Sequence, residues 1–381
     1  MYKVLVFGMS TVRGGVWRCL ENYTKYIDNR RIQFDFLCNS YEEIPEEATF
    51  LARGIKIYKT PRRFPNYLRY KREVQNFFKQ HAHEYDAIWV NISNLVNIDY
   101  LILSKKYGIP RIILHSHGSR SVTGKIKDMF HLLNKQRIDY YATDFWACSV
   151  DAAKWLFTEK GLSKAVIVNN AIDIESVCYN EVKRERYRNM LGMNDCQTLI
   201  GNIARLEYPK NQVFLIEIMH AFLHKYPQVE LVLVGDGSDK DEIVRTAESL
   251  GIQDRIHIVG EQEDVQGWLS AIDVFVLPSL FEGLPLAALE AQANGLPLLY
   301  ANDDIPESVN VVDGGYVIGE SLLSSLGQWC EQLEKLVKLP TRLSSEVIRS
   351  KFAIKGYDIT VESQRLEKLF LQESREHDAT N

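Results

Sequence analysis

The chain has 381 residues, of which 46% are hydrophobic and 25% charged, an ordinary composition for a globular protein. Such a length predicts two domains of roughly 150–200 residues each. Its longest apolar runs are shorter than the ~20 residues of a spanning helix, and its start lacks a signal-peptide pattern, so we expect a cytoplasmic protein. Its cysteines lack CxxC spacing, so we expect reduced thiols.

The formal net charge of −5 is unevenly distributed along the chain. Residues 1–170 contain 26 Lys and Arg against 16 Asp and Glu, a formal charge of +10, so the remainder carries −15. A basic first half on a weakly acidic protein suggests that this half meets an anionic partner.

The first predicted element is a strand, Tyr2–Phe7, followed by a turn that contains Gly14 and Gly15 and then by apolar residues at helical spacing. A strand, a glycine-rich turn and a helix start can bind an anion, because glycine lets backbone amides approach it closely. The turn matches neither GxGxxG nor GxxxxGK[ST], so a simple turn is the alternative interpretation.

Strands and helical patterns then alternate through the first half, which favours βαβ units and a parallel sheet. The predicted strands are Gln33–Cys38, Ile55–Tyr58, Ala87–Ile92, Arg111–His115, Asp144–Cys148 and Ala165–Val168.

Two stretches of the first half, 62–79 and 120–137, are basic with interleaved aromatic residues. The first has six basic residues and one acidic residue, and the second has five and one. A solvated helix face and a patch that contacts anionic lipid both fit this pattern. Nucleic acid is not expected as a partner, because no nucleic-acid fold signature accompanies the charge.

The segment from Leu114 to Gly118 contains two histidines at the carboxyl end of a predicted strand, where open parallel sheets bind ligands. Strand alternation places His115 and His117 on the same face. Either imidazole could hydrogen-bond a hydroxyl or take part in proton transfer, and a structural histidine is the alternative. Residues 169–194 are predicted to be a linker and lead-in to the second half.

In the second half, the strand Thr198–Ile203 is followed by a turn with Arg205 and Lys210 and by a helix from about Gln212. Two cations beside a helix start can hold a diphosphate and stabilise the charge that develops on it as a leaving group. Further on, the Asp-Lys-Asp sequence at 239–241 is predicted to open a helix rather than bind a metal.

The stretch 272–300 predicts a strand, a loop with Glu282, a helix that begins at Pro285 and carries Glu290, and a second strand. Each Glu alone would be interpreted as a surface charge. Together, beside a helix start, they suit a ligand that carries both hydroxyls and phosphates. A strand over 311–318, a helix over 321–337 and a terminal helix over 357–372 complete the pattern.

The sequence from Glu282 to Glu290, E-G-L-P-L-A-A-L-E, and the R-L-x-x-x-K-N turn that starts at Arg205 resemble motifs of the family 4 retaining glycosyltransferases of the GT-B fold. The resemblance covers essentially the whole chain, and its second half is most similar to bacterial capsule and exopolysaccharide transferases. It implies an α/β protein of two Rossmann-like, doubly wound domains that face a cleft. The implied domains are 1–170 and 171–354, with a C-terminal helix at about 355–375 that crosses back to the first domain.

The resemblance also implies an activity: transfer of a sugar from a nucleotide-diphosphate donor, expected to be a UDP-sugar, with retained anomeric configuration and with no metal or other cofactor. In this family the diphosphate is held by the two cations and the ribose by the second Glu of the motif. The implied catalytic residues are His117 or His115, Glu282, Arg205 and Lys210, and the implied donor-binding residues are Gly14, Gly15, Arg205, Lys210, Glu282, Gly283, Leu284, Glu290 and, through its main chain, Val265. His117 is preferred to His115 because Gly118 follows it.

The expected partners are the nucleotide-sugar donor, a lipid-linked saccharide acceptor and the anionic inner face of the cell membrane. Two other functions remain open at this point. A GT-B sugar-nucleotide epimerase would share the fold and the anion-binding turns but would act without an acceptor. A non-catalytic nucleotide-sugar-binding subunit would have no reason to keep Glu282, Glu290, Arg205 and Lys210 together.

Overall fold

A computed structural model describes residues 1–118, 124–194, 196–282, 284–339 and 342–378. The chain divides into two units, one formed by Met1–Ala171 with the C-terminal segment from Ile359, the other by Ile172–Asp358. Each unit is a parallel sheet with helices on its faces, which confirms the predicted α/β, doubly wound fold class.

In the described residues, the first unit contains a seven-stranded sheet in the spatial order β3-β2-β1-β4-β5-β6-β7. Its strands are β1 (Tyr2–Phe7), β2 (Ile32–Cys38), β3 (Ile57–Lys59), β4 (Ala87–Ile92), β5 (Arg111–Ser116), β6 (Asp144–Ala147) and β7 (Val166–Ile167). Its helices are α1 (Gly15–Tyr26), α2 (Glu47–Ala52), α3 (Tyr67–His81), α4 (Asp99–Lys106), α5 (Lys125–Lys135), α6 (Ile138–Tyr141), α7 (Val150–Leu156) and α8 (Glu159–Leu162), with a 3₁₀ turn at Ala82–Glu84.

The central strand β1 is buried on both faces. Leu5 belongs to the cluster on the side of α3, α4 and α7, whereas Val4 and Val6 belong to the cluster on the side of α1. A continuous apolar run is therefore what this strand requires. Because β1 pairs with both β2 and β4, the connections after β1 and β4 leave the sheet in opposite directions at this point.

The last helix, α17 (Ile359–Asp378), completes the first unit, as predicted for a C-terminal helix that crosses back. Phe370 is fully buried and makes edge-on or tilted ring contacts with Tyr2, Phe34, Trp89 and Trp146. Nη1 of Arg111 donates to the main-chain oxygens of residues 369 and 370, at 2.9 and 3.0 Å. The helix thus covers one face of the sheet as part of its core.

In the described residues, the second unit contains a six-stranded sheet in the order β10-β9-β8-β11-β12-β13. Its strands are β8 (Thr198–Ile203), β9 (Val229–Val234), β10 (Ile256–Ile258), β11 (Val274–Leu277), β12 (Leu298–Ala301) and β13 (Val317–Glu320). Its helices are α9 (Ile174–Val177), α10 (Glu181–Met190), α11 (Gln212–Leu223), α12 (Lys240–Ser249), α13 (Val265–Ala271), α14 (Leu286–Ala293), α15 (Leu326–Val337) and α16 (Ser345–Lys355), with 3₁₀ turns at Tyr208–Lys210, Gln253–Arg255 and Glu307–Val309.

The strand order of this sheet reverses between β8 and β11, which are neighbours although β9 and β10 separate them in the chain. Open parallel sheets bind ligands at the carboxyl ends of the strands at such a reversal. The loops that follow β8 and β11 therefore occupy the position where a ligand is expected.

Three predicted elements were wrong. The strand expected over 311–318 begins only at Val317, because Asp313, Gly314 and Gly315 all have positive φ (55°, 72° and 83°) and turn the chain. The helix expected from 321 begins at Leu326, since Ser325 and Gln328 form a capping box there.

The third wrong element is the linker expected over 169–194, which contains α9 and α10. The α10 side chains of Tyr187 and Arg188 are buried in the second unit. The predicted helix start at 239–241 is confirmed, with Asp239 at the N-cap of α12. No helix among the described residues is long and apolar enough to cross a bilayer.

Candidate active site

The loops after β8 and β11 bring Lys210 and Glu282 into contact. Nζ of Lys210 donates to Oε1 of Glu282, and the buried Ser279 donates its hydroxyl to the same oxygen at 3.0 Å. The two charged side chains are 22% and 13% exposed, so the pair is neither fully buried nor freely solvated. The sequence predicted both residues for the site, and the structure shows that they share one hydrogen bond.

Main-chain contacts join the two loops that carry this pair. The amide of Leu280 donates to the carbonyl oxygen of Pro209 at 2.9 Å, and Nδ2 of Asn211 donates to the carbonyl oxygen of Pro278 at 3.1 Å. Asn211 has φ 56°, a left-handed conformation that Asn tolerates better than most residues. The Lys210 and Glu282 side chains therefore extend from two loops that are hydrogen-bonded to each other.

Arg205 lies in the same β8 loop and faces solvent. Its Nη1 is 2.7 Å from Oε1 of Glu207, and the guanidinium side chain is 65% exposed. Such an exposed pair contributes little free energy, so an anionic ligand can compete for the guanidinium.

The main chain around Arg205 is held by the turn after β9. The amide of Leu206 donates to the carbonyl oxygen of Asp236 at 3.0 Å. Gly235 and Gly237 lie so close to this loop that a Cβ on either would be 2.0 or 2.2 Å from a main-chain oxygen. These two glycines were not predicted to support the site, because their spacing alone gives no sign of the close approach.

Two buried amide side chains connect the strands beneath the site. Nδ2 of Asn202 donates to the carbonyl oxygen of Val276 at 2.8 Å, linking β8 to β11. Nε2 of Gln212 donates to the carbonyl oxygen of Arg205 at 3.0 Å. These supporting residues were also missed, because a polar residue at a strand end or helix start is usually exposed.

The helix α14 carries Glu290 in its second turn, partly buried. The helix begins at Leu286, one position after the predicted start, with Pro285 as its N-cap, and its first turn has no acidic side chain and no side-chain cap. These first amides are a suitable partner for an anion. Leu284 is partly buried against the core of the second unit, and Gly283 lies outside the described residues.

Val265 is the first residue of α13, and the preceding Asp264 caps this helix. Oδ1 of Asp264 accepts from the amide of Gly267 at 3.1 Å and lies 2.7 Å from Nζ of Lys183. Oδ2 accepts from the Tyr187 hydroxyl at 3.1 Å. The helix α10, which supplies Lys183 and Tyr187, thus fixes the turn in which Val265 lies.

In the first unit, Gly14 is the N-cap of α1 and Gly15 its first residue. Both are exposed, and a Cβ on either would meet no atom within 4 Å. Gly14 has φ −149°, an extended conformation open to any residue, so the local fold does not require glycine at these positions. The α1 start has no side-chain cap and no acidic residue in its first turn, which leaves its amides available to an anion.

The two histidines at the end of β5 differ in their surroundings. His115 is fully buried, stacks on Trp89 with ring centroids 5.8 Å apart and accepts at Nδ1 from Nε1 of Trp89 at 3.1 Å. His117 is partly exposed, and its ring centroid lies 4.1 Å from that of His115. Of the two predicted candidates, His117 is therefore the one that a ligand can reach.

Asn91 sets the tautomer of His117. Its Nδ2 donates to the carbonyl oxygens of Phe7 and Trp89, so its Oδ1 must face the imidazole, where it lies 2.9 Å from Nε2 of His117. Nε2 consequently carries the proton and Nδ1 the lone pair. Gly8 permits this arrangement, since a Cβ there would be 2.6 Å from Cβ of Asn91. Neither residue was singled out in the sequence.

Burial keeps both imidazoles neutral. Desolvation lowers the pKa of His117 to about 3. The pKa of His115 is held well below its usual range, mainly by desolvation and to a smaller extent by the neighbouring His117. In the described part of the chain, Nδ1 of His117 and Oδ1 of Asn170 are buried without a hydrogen-bond partner.

The fold is shared with solved structures of other proteins. The crystal structure of Anabaena Alr3699/HepE in complex with UDP and glucose matches with a TM-score of 0.75 at 18% identity, covering 98% of this chain and 100% of that one. With two Rossmann-like units, each a parallel sheet with helices on its faces, the chain has the GT-B fold that its motifs implied.

Sequence comparison defines the family. The family described as glycosyl transferases group 1 matches residues 183–349, and that described as Glycosyltransferase Family 4 matches residues 13–176. The chain belongs to family 4 of the glycosyltransferases, as its motifs indicated.

Two relatives are similar in sequence. The putative glycosyltransferase EpsF of Bacillus subtilis (strain 168) is 29% identical over 352 residues, 91% of this chain and 90% of that protein. A UDP-Gal:alpha-D-GlcNAc-diphosphoundecaprenol alpha-1,3-galactosyltransferase of Escherichia coli is 31% identical over 142 residues, 36% of this chain and 37% of that protein.

Proposed function

We propose that this glycosyltransferase moves a sugar from a UDP-sugar to a hydroxyl of a lipid-linked saccharide during the synthesis of a surface polysaccharide, with retained anomeric configuration and without a metal ion. The observation that carries the proposal is the contact of Lys210 with Glu282 at the reversal of the second sheet. A cation and a carboxylate side by side suit a donor that carries both phosphates and sugar hydroxyls.

In the proposed reaction, Lys210 and Arg205 hold the diphosphate and neutralise the charge that builds on it as the bond to the sugar breaks. For this, Lys210 turns from Glu282 to the phosphate when the donor binds, and the released carboxylate accepts hydrogen bonds from hydroxyls of the donor sugar. The uncapped amides at the start of α14 add a second, uncharged contact for the phosphates.

Glu290 is proposed to accept from the ribose hydroxyls, and the main chain at Val265 to contact the nucleobase. In the first unit, the α1 amides at Gly14 and Gly15 are proposed to face the phosphates. His117 is proposed to hydrogen-bond the donor sugar, with the lone pair of Nδ1 as acceptor for a hydroxyl.

The relatives support the choice of donor and acceptor. The Anabaena structure holds UDP and glucose, and the Escherichia coli relative is named for UDP-Gal and for a diphosphoundecaprenol-linked acceptor. Placement at the inner face of the cell membrane would bring such an acceptor within reach, and the basic first half of the chain fits an anionic membrane.

The test is calorimetric titration of UDP-, GDP-, dTDP- and ADP-sugars with the wild-type protein and with Glu290→Ala, in the absence of metal. We expect micromolar binding of the UDP-sugar, lost in Glu290→Ala and kept in Glu217→Ala, a matched change on the exposed face of α11. Absence of binding to every nucleotide sugar would overturn the proposal. Conversion of the UDP-sugar to its epimer without an acceptor would instead establish the epimerase.

A further inference from the structure

Helix α5 is attached to the first unit through its polar side. His131 is 2% exposed and stacks on Trp155 with ring centroids 4.2 Å apart. Its Nδ1 accepts from the amide of Leu95 at 3.1 Å, and Nδ2 of Asn134 donates to the Leu95 carbonyl oxygen at 2.7 Å. Nζ of Lys135 donates to the carbonyl oxygens of Lys154 and Trp155 in α7, at 2.9 Å each.

The opposite side of α5 is apolar and faces solvent. Its large side chains are exposed by these fractions: Ile126 73%, Met129 52%, Phe130 48%, Leu132 62% and Leu133 58%. We call these residues the α5 outer face. Residues 126, 129, 130 and 133 repeat at spacings of three and four, which places them on one stripe of the helix. On an ordinary surface helix this stripe would face the core, so α5 is packed the opposite way round.

Basic side chains border the outer face. Lys125 and Lys127 are exposed in its first turn, and Arg137 is exposed just beyond its end. Within α5, Asp128 is the only acidic residue, and it lies on the partly buried side. An apolar stripe with cations at its edges is complementary to an anionic lipid surface.

The other basic stretch, 62–79, is a conventional helix by comparison. Its helix α3 buries Tyr70, Phe77 and Phe78, whereas Tyr67 and Leu68 near its start are exposed. Arg69 pairs with Glu73 at 2.8 Å within α3, and Arg62 pairs with Glu42 at 2.6 Å. Much of its charge is thus compensated within the protein.

We propose that the α5 outer face inserts into the headgroup region of an anionic membrane. A second copy of the chain is a poor occupant, because five side chains on an 11-residue helix offer on the order of 500 Å², below the ~800 Å² per partner of a standard interface. The role of this contact, to hold the enzyme beside a lipid-linked acceptor, rests on the proposed function, whereas the contact itself does not.

The test is co-sedimentation with vesicles of phosphatidylcholine and phosphatidylglycerol, and with vesicles of phosphatidylcholine alone. The wild-type protein is expected to bind the anionic vesicles more tightly, and added salt to weaken the binding. The triple change Ile126→Gln, Phe130→Gln and Leu133→Gln is expected to weaken it at least tenfold. A second variant, Lys125→Gln with Lys127→Gln, is expected to weaken it on the order of tenfold.

The matched control replaces three exposed apolar residues of the second unit: Val182→Gln, Leu323→Gln and Ile354→Gln. It is expected to bind vesicles like the wild type. Undiminished vesicle binding by the α5 triple variant, or equal loss in the control, would overturn the inference, as would wild-type protein that does not bind. Loss only on neutralising Arg62 and Arg69 would assign the contact to the 62–79 stretch instead.

Calorimetry with UDP on the same preparations separates this inference from the proposed function. Intact UDP binding with no vesicle binding would refute the membrane contact alone. Intact vesicle binding with no binding of any nucleotide sugar would refute the donor assignment alone. A concentration-dependent dimer in sedimentation velocity that the α5 triple variant abolishes would show that a second copy covers the outer face, and would refute the lipid contact.

Discussion

Replacing Glu282 by Gln is expected to separate the binding of UDP from the binding of a UDP-sugar. In the proposed mechanism Lys210 must leave Glu282 before it can hold a phosphate. A pair with side chains 22% and 13% exposed is worth about 1 kcal/mol net, at the upper end for ion pairs that water still reaches. Glu282→Gln removes the competing charge, so UDP should bind about fivefold more tightly, since about 1.4 kcal/mol corresponds to a factor of ten.

The same variant should lose the contribution of the sugar. Gln keeps the size of Glu but accepts hydroxyl hydrogen bonds without a charge, and a charged acceptor is worth roughly 1.5–3 kcal/mol. UDP-sugar should therefore bind less tightly than UDP to Glu282→Gln, whereas we expect the wild type to bind UDP-sugar more tightly than UDP. Titration calorimetry of both ligands against both proteins measures the four affinities.

Two further variants serve as controls. Glu207→Gln removes the partner of the exposed Arg205 and should change UDP affinity less than twofold, because that pair is solvated. Lys210→Met should weaken UDP binding about 30-fold or more, the cost of one charge-assisted phosphate contact. Weaker UDP binding in Glu282→Gln, comparable to that of Lys210→Met, would show that Glu282 supports the phosphate contact rather than competing with it.

Three other predictions concern stability and cofactor use. The native imidazoles of His115 and His117 stay neutral while the unfolded ones titrate near pH ~6.5, so the first unit should lose about 1.4 kcal/mol per histidine for each pH unit below that value. Urea unfolding between about pH 7 and about pH 5 should show this slope, and His117→Gln should reduce it. Gly235→Ala should destabilise the second unit by about 3 kcal/mol, because the added Cβ would clash with a main-chain oxygen. Gly251→Ala should cost only about 1–2 kcal/mol, because Gly251 has a positive φ but open space around it, and thermal unfolding distinguishes the two variants. Chelation with EDTA should leave transfer to an acceptor unchanged, and loss of activity that Mg²⁺ restores would contradict the metal-independent mechanism.

Much of the fold was predictable because its strands are continuous apolar runs. The bounds of β1, β4 and β8 coincide with the predicted ones. The prediction of a strand over 311–318 was wrong for two reasons. Val311 and Val312 are apolar and buried, as strand residues are, and a hydropathy pattern does not show the positive φ of the glycines that follow them.

The individual site positions were predictable, but their contacts were not. Lys210 and Glu282 meet because β8 is next to β11, a neighbour relation that no local pattern encodes. The role of Asn91 depends on the carbonyl oxygens of Phe7 and Trp89 as well as on His117, which come together only in the folded sheet.

Helix α5 shows a different limit. Its periodicity predicts an apolar stripe but gives no indication that the stripe faces outward. That orientation is set by the contacts of His131 with Leu95 and Trp155, residues that are distant in sequence. Periodicity reports that two faces differ, and only the tertiary contacts decide which one is buried.

The return of α17 has a consequence for the order in which the protein is made. Residues 1–171 leave the ribosome first, yet their sheet lacks the helix that covers Trp89 and Trp146 until Phe370 has been synthesised. At ~5–20 residues per second, the roughly 190 intervening residues take about 10–40 s. The second unit, translated later, is the first to have all its residues available, so the unit that begins the chain is the last to complete its core during translation.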